Sequence, residues 1–418
     1  MSGATPRLFA ALVRTGLWVY LRVLQLVQAL PRRRPAARAN VLLTGTFVSD
    51  NWLRAHLQPL AAAEACGRIW MVASRRVPDI PNVRAVYPWR WVARIAGPVP
   101  ARLLTFAAVA IRTRPDIVGG FHLLFNGMAA ALLAPLVGAR SMYICVGGPA
   151  EVLDGGIRAE NRLFSRLRVP HPHVERQLIQ ATRGFDLIVT MGSGAATFFR
   201  SRGSRGPVEV MPGGIDGQRY MPPARAPETD LLLVGRLAPI KRVDLFLRAV
   251  RRLADEMPDV RASIVGDGPL REALERRAAD LQLARHVEFR GARAAMPDEF
   301  ARAAIFVLTS ETEGLSLALM EAMMSGLPAV VPDVGDLADL VEDGSNGFLL
   351  RDHTPEAFAA ALARLLRDPE LRQRFSHAAR RTAERHEVCA ASARWTDVLR
   401  RLHVGSGLAA SVLLKSKT

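Results

Sequence analysis

Two glutamates, Glu313 and Glu321, stand eight positions apart in SETEGLSLALMEAMMSGLP, residues 310–328. The run before them, AIFVLTS, is short, apolar and rich in strand-forming residues, so it reads as a buried strand. ETEGLS then reads as a loop, and LSLALMEAMMSG as a helix stopped at Gly326 before Pro328. Gly314, Leu315 and Ser316 fall at that helix's N-terminus, where backbone N–H groups lack helical partners and the dipole is positive. Such an end suits an anion, a diphosphate in particular. Glu313 precedes it at the carboxyl end of the strand, and Glu321 follows about a turn and a half into the helix. Carboxylates do not bind phosphate, but they accept hydrogen bonds from hydroxyls. Two of them flanking a phosphate-binding helix start describe a nucleotide-sugar site, one for the sugar hydroxyls and one for the ribose. The spacing alone is weak, because surface helices carry it often. Its place after a strand gives it weight.

Two further segments can complete such a site. In LLLVGRLAPIKRVDLF a strand ends at Gly235, and Arg236 and Lys241 lie five apart at the turn into a helix. Two cations there can neutralise a diphosphate and stabilise its departure. The plain alternative is an exposed basic turn. In SIVGDGPLREAL, Gly266 and Gly268 permit a tight turn and Pro269 opens a helix. That signal is weak, since the complete G-x-G-x-x-G pattern is missing, and no P-loop triplet occurs.

The elements that position these residues alternate strand and helix. NVLLTGTF, RIWMVAS, PDIVGGFH, RSMYICVG, DLIVTMG and VEVMPGG read as strands of a first half; DLLLVGR, ASIVGDG, VEFRG, AIFVLTS and PAVVPDV read as strands of a second. Helical stretches separate them, so each half is a parallel sheet with helices on both faces. The reading is α/β with two doubly wound, Rossmann-like domains facing across a cleft. The expected division is an N-terminal segment 1–38, a first Rossmann-like domain 39–217, a second, nucleotide-binding one 218–368, and C-terminal helices 369–418 packing back across the domains. The Gly- and Pro-rich joint GGIDGQRYMPPARAPETD, residues 213–230, motivates the boundary.

GRLAPIKR, VGDGPL, VEFRG, VMPGGID and EGLSLALMEAMMSGLPAVVPDVGDLADLVEDGSNGFLL together resemble the family-4 retaining glycosyltransferases of the GT-B fold. The resemblance is continuous over roughly residues 186–350 and looser before them. It implies transfer of a sugar from a nucleoside diphosphate sugar with retained configuration and no cofactor beyond that co-substrate. By this likeness Glu313 contacts the donor sugar, Glu321 holds the ribose, and Arg236 and Lys241 bind the diphosphate with the backbone of Gly314, Leu315 and Ser316. Residues Gly291 to Arg293 meet the base. The family's usual Gly-Phe-Gly after the first glutamate is Gly-Leu-Ser here. His122, in PDIVGGFH, best matches a family histidine of the acceptor half; a partly buried core histidine is the equal alternative. A second family histidine is absent, replaced by YICVGGPAEVLDGG, whose Glu151 and Asp154 are expected on a flexible loop shaping the acceptor site. Gly45, in GTFVSDNWL, is expected to let the donor phosphate approach, with Asp50 and Asn51 capping the next helix. The site so described needs no metal, and no D-x-D triplet is present.

The chain has 418 residues, enough for two domains, and a net charge of +17. Three widely spaced cysteines without a CxxC suit the cytosol. Residues 7–30 form an amphipathic pattern: Arg7, Arg14, Thr15, Arg22, Gln25 and Gln28 on one strip, and Leu8, Phe9, Leu12, Val19, Tyr20, Val23, Leu26 and Val27 opposite. Arg14 and Arg22 interrupt it too often for a bilayer span, and PRRRP is the wrong flank for a signal peptide. The expectation is an in-plane helix at the inner face of the cell membrane, with Arg32, Arg33 and Arg34 at acidic head groups. The alternative is a helix packed on the protein's own body. The acceptor is then a lipid-linked sugar or a lipid, or else a saccharide. Rival readings are a sugar-nucleotide epimerase or phosphorylase of the same architecture and, disfavoured by the dispersed cations, a nucleic-acid binder.

Overall fold

Both halves build one parallel sheet in which the first strand lies inside and the order reverses beside it. The computed structural model describes residues 4–404 apart from 48, 158–160, 162 and 223–225. The expected C-terminal helices therefore extend, in 405–418, outside the described residues, as does the side chain of Arg7. Two units form, residues 1–214 with 389–418, and residues 215–388.

The first unit runs α1 (Ala4–Gln28), β1 (Ala39–Thr44), α2 (Asp50–Ala62), β2 (Cys66–Val72), β3 (Val83–Val86), α3 (Arg90–Ala96), α4 (Pro98–Thr113), β4 (Ile117–Phe121), α5 (Met128–Leu136), β5 (Arg140–Cys145), α6 (Pro172–Thr182), β6 (Leu187–Thr190), α7 (Ser193–Ser201) and β7 (Val208–Val210). Its sheet order is β3-β2-β1-β4-β5-β6-β7, all parallel. The second unit runs β8 (Thr229–Val234), α8 (Val243–Glu256), β9 (Ala262–Val265), α9 (Arg271–Asp280), β10 (Val287–Gly291), α10 (Met296–Ala301), β11 (Ala303–Val307), α11 (Leu317–Met324), β12 (Ala329–Pro332), β13 (Gly347–Leu350), α12 (Pro355–Arg367) and α13 (Pro369–Glu384). Its order is β10-β9-β8-β11-β12-β13. The last described helix, α14 (Val388–Val404), belongs to the first unit from Cys389 onward. Of segment 369–418, residues 369–388 thus stay in the second unit and the remainder in the first.

Alternation along each strand decides which helices cover which face. Leu231, Leu233, Ile305 and Val307 join Phe246 and Val250 of α8 and Phe358 and Leu362 of α12 in one core layer. Leu232 and Phe306 point the other way, to Met320, Met323 and Met324 of α11. Local signals set the helix starts. Ser49, not Asp50 or Asn51, caps α2 by accepting from Trp52 N. Thr354 and Asp368 cap α12 and α13, each with proline at the first helical position.

The N-terminal helix divides its surface three ways. Leu17, Leu21 and Leu24 are buried against α5 and α6 with Tyr143, Leu178 and Ala181. Tyr20 Oη donates to Met128 O, Gln177 to Arg14 O, and Gln28 to Gly184 O. Arg14 and Arg22 lie exposed, while Leu8, Leu12, Val19, Val23 and Leu26 form a separate exposed apolar stripe. Helix packing on the body and an outward apolar face are therefore both present. The three arginines of PRRRP make contacts within the protein, Arg33 and Arg34 while staying exposed. Arg32 pairs with Asp186 at 3.6 Å, with 12% of its side chain exposed. Arg33 donates to the carbonyls of Arg114, Pro115 and Val137, closing the ends of α4 and α5, and Arg34 donates to His403 O. They fasten α1 to the sheet's helices.

Candidate functional site

In doubly wound sheets ligands bind beyond the strands' carboxyl ends where the order reverses. The second unit reverses between β8 and β11, and Lys241 and Glu313 meet there. Lys241, in a short turn after β8, places Nζ 2.6 Å from Glu313 Oε1, after β11. Ser310 Oγ donates to the same oxygen at 2.7 Å. Thr309 Oγ1 donates to Lys241 O, and Glu311 N donates to Ile240 O, so the two loops are stapled along their backbones as well. The pair is mostly shielded, with 24% and 10% of the two side chains exposed. Lys241 and Glu313, given to different parts of a donor by the sequence reading, are partners here. Arg236 lies exposed on the same β8 loop.

Glycines let the neighbouring loops close on this pair. A Cβ on Gly266 would lie 1.8 Å from Gly235 O, and one on Gly268 2.4 Å from Leu237 O. Both glycines therefore seat the β9 loop on the β8 loop, a packing reason for their presence beside any contact with a ligand. Gly335, after β12, has φ +58, and a Cβ there would lie 1.9 Å from Glu313 O. Asp336 N donates to Gly314 O, fixing the approach to α11. Gly335 escaped the sequence reading, although a glycine just past a strand end is the signal for such a close approach. Helix α11 starts at Leu317 with Ser316 as its cap, Oγ accepting from Leu319 N. Gly314 and Leu315 are loop residues before that cap.

Glu321 is only 5% exposed, and its Oε1 accepts from Tyr220 Oη at 2.6 Å. Burial pushes its pKa up to about 7, against the opposing pull of the Tyr220 hydrogen bond and the Arg219 charge. Tyr220, packed on Phe300, was not foreseen; an aromatic four residues after Asp216 carries no periodic signal. A raised carboxyl pKa means the folded state holds the proton more tightly than the unfolded chain. That share of stability is complete below the ordinary carboxylate range and is lost as pH rises through about 7. The share is about 3 kcal/mol. Melting temperature should accordingly fall between pH 5 and 8 in the wild type, and Glu321→Gln should flatten that slope. A variant with the wild-type slope would refute the assignment. Arg293, on the loop after β10, is half exposed and 3.8 Å from Glu299, which Arg290 grips through two nitrogens.

The first unit reverses between β1 and β4, and Gly45 and His122 follow those strands. A Cβ on Gly45 would strike the Phe47 ring at 2.7 Å and Phe121 at 2.9 Å, so its smallness is required by aromatic packing. His122 adopts φ +63, unusual outside glycine. Its Nδ1 lies 3.1 Å from Glu151 Oε1. Glu151 is buried and accepts from the N–H groups of Leu123, Val146 and Gly147 and from Tyr143 Oη, at 2.7 to 3.1 Å. Burial alone would raise its pKa; the His122 charge and these hydrogen bonds more than offset that and hold it below the ordinary value. Glu151 is thus a fixed anchor of a loop expected to be flexible, and it orients the imidazole. His56, packed against the tilted ring of Trp52, is held neutral, its pKa pushed down to about 3 by burial and by His122.

Residues 220–382 match the family model described as glycosyl transferases group 1. A D-inositol 3-phosphate glycosyltransferase of Streptomyces avermitilis is 36% identical over 202 residues, 43% of this chain and 44% of that protein. A GDP-mannose-dependent alpha-(1-6)-phosphatidylinositol monomannoside mannosyltransferase of Mycolicibacterium smegmatis is 33% identical over 192 residues, 41% of this chain and 50% of that protein. The chain thus spans half or less of the length of these curated relatives. The solved sucrose-phosphate synthase of Thermosynechococcus elongatus superposes with a TM-score of 0.73 at 15% identity, covering 88% of this chain and 100% of that one, which establishes the GT-B fold. Residues 220–382 thus match the glycosyl transferases group 1 family, and the chain as a whole shares the GT-B architecture.

Proposed function

We propose that the protein is a retaining hexosyltransferase, moving a sugar from a nucleoside diphosphate sugar to a lipid-linked or saccharide acceptor at an anionic membrane surface. The observation that carries this reading is the Lys241–Glu313 pair at the β8/β11 reversal, 2.6 Å apart beside the start of α11. A diphosphate entering there takes Lys241 as counter-charge, with Arg236 and the N–H groups near Ser316 assisting. Glu313, relieved of the lysine, accepts from sugar hydroxyls, and Glu321 serves the ribose. Ordered cations on the leaving diphosphate lower the barrier to breaking the anomeric bond, because charge accumulates there in the transition state. Arg293 and its loop are assigned to the base, Gly266 and Gly268 to the floor of the site. His122, oriented by Glu151, is assigned to the acceptor half.

A lipid-linked acceptor is supported by α1, whose exposed apolar stripe lies beside Arg14 and Arg22. Leu8–Gln28 is also long and apolar enough to cross a membrane by length and composition. Its fastening along α5 and α6 supports an in-plane, peripheral placement on the inner face of the cell membrane. The relatives' printed names give one soluble acceptor, D-inositol 3-phosphate, and one lipid-linked, a phosphatidylinositol monomannoside.

A thermal-shift screen of nucleoside diphosphate sugars tests the donor assignment. The wild type should be stabilised by at least one donor, and Lys241→Ala and Glu321→Ala should lose most of that shift. No stabilisation of the wild type, or shifts in both variants equal to the wild type's, would defeat the reading. Donor turnover without any acceptor would point instead to an epimerase or phosphorylase.

A further inference from the structure

Helix α3 is fully described, and none of its residues is buried, although it carries Trp91, Val92 and Ile95. It joins α4 at Gly97 to form a short hairpin. Trp89, at its start, is 70% exposed, Trp91 62% and Ile95 81%. The two indoles stack with centroids 6.4 Å apart and planes 10° from parallel. Tyr87 precedes them, and Leu104 and Ile111 of α4 continue the exposed apolar surface. A soluble helix ordinarily buries its apolar face; this one half-buries Val92 beside α4 and leaves Trp91 and Ile95 exposed.

The charge around the hairpin identifies the occupant. Residues 80–115 contain no aspartate or glutamate, and Arg84, Arg90, Arg94, Arg112 and Arg114 are all exposed. Arg90 and Arg94, four apart, share one face of α3, whereas Trp91 and Ile95, also four apart, share another. Residues 1–49 are likewise without an acidic residue. Helices α1, α5 and α4 lie side by side in one direction. Tyr20 and Arg102 reach the start of α5, through Met128 O and Asn126, and Arg33 reaches the ends of α5 and α4. The outward stripe of α1 and the hairpin therefore belong to one layer of helices of the first unit. Aromatic and aliphatic side chains interleaved with arginines whose stems can lie on the apolar zone match the head-group boundary of a bilayer. Anionic lipid supplies the counter-charge the segment lacks.

We propose that the α3–α4 hairpin inserts Trp89, Trp91 and Ile95 into the interface of an anionic bilayer, as a second membrane-docking element beside α1. The inference deepens the membrane reading above and rests on it. The test is flotation of the full chain with phosphatidylcholine vesicles, with and without phosphatidylglycerol. Two triple variants are compared: Trp89→Ser, Trp91→Ser, Ile95→Ser in the hairpin, and Leu8→Ser, Leu12→Ser, Leu26→Ser in α1. All six side chains are exposed, so melting temperatures should stay near the wild type's. The wild type should float with anionic vesicles only, and the hairpin variant should lose about tenfold in partition. A hairpin variant that floats like the wild type, while the α1 variant sinks, overturns the hairpin but leaves the membrane reading standing. A wild type that floats with neither vesicle overturns both. A hairpin variant with unchanged flotation but a smaller sedimenting species makes the hairpin a contact between copies, which also overturns the proposal.

Discussion

Lys241→Met should reduce kcat/KM for sugar transfer by about 10²–10³, the cost of removing one preorganised charge from a developing anion. The double variant Lys241→Met, Glu313→Gln should fall little further than the worse single variant. The reason is the shared oxygen: Glu313 Oε1 receives both Lys241 Nζ and Ser310 Oγ. Without the lysine, Glu313 is a nearly buried carboxylate with the Ser310 hydroxyl as the remaining donor to that oxygen. Its charge then opposes an entering diphosphate. Groups acting as one unit give strongly non-additive losses. Steady-state kinetics on the four proteins decide the matter. Independent, multiplying losses would show that the two residues act separately, and a Lys241→Met loss below tenfold would remove Lys241 from the chemistry.

Glu151→Leu should destabilise the first unit by about 3–5 kcal/mol, the range for breaking a buried charged pair and stranding its partners. That corresponds to a fall in melting temperature on the order of 10 °C for a unit of this size. Three backbone N–H groups, a phenol and an imidazole lose their acceptor together. Glu151→Gln keeps the shape but turns an amide NH2 toward donors, so its loss should be smaller and still clear. The pH dependence runs opposite to that of Glu321. A depressed carboxylate contributes stability above the ordinary carboxylate range and loses it as pH falls through its lowered value. Calorimetric melts from pH 3 to 7 should show the wild type and Glu151→Gln converging toward acid. Curves that stay parallel, or equal stability at pH 7, would contradict the anchor role.

The strand–helix alternation of both halves could be read from the sequence because buried parallel strands are short Val-, Ile- and Leu-rich runs. Two strands were missed, and both sit at sheet edges. VRAV of β3 has half-exposed residues and alternates with arginine, while GFLL of β13 follows a turn with only two buried residues. The donor-side residues were legible for a related reason: each follows a strand directly, so the strand's end locates it. Their pairing was not, since Lys241 and Glu313 meet across 72 positions that only the β8–β11 adjacency brings together. Glu151 was hidden by its surroundings. Glycines on both sides suggested looseness, whereas they let the turn wrap around one carboxylate. Arg32, Arg33 and Arg34 carry a use that a charge run does not reveal, since they also reach Asp186 and the carbonyls at helix ends.

The placement of α14 has a bearing on how the molecule is made. Trp395, Val398 and Leu399 complete the first unit's buried surface, and Thr396 Oγ1 accepts from Glu64 N. The ribosome therefore releases most of this unit, then the whole of residues 215–388, and only afterwards the helix that closes the unit begun first. At elongation rates of about 5–20 residues per second, the opening two hundred residues wait on the order of ten seconds or more with that groove uncovered. In the newborn chain the second unit can finish folding before the first does, so sequence order and order of maturation are reversed.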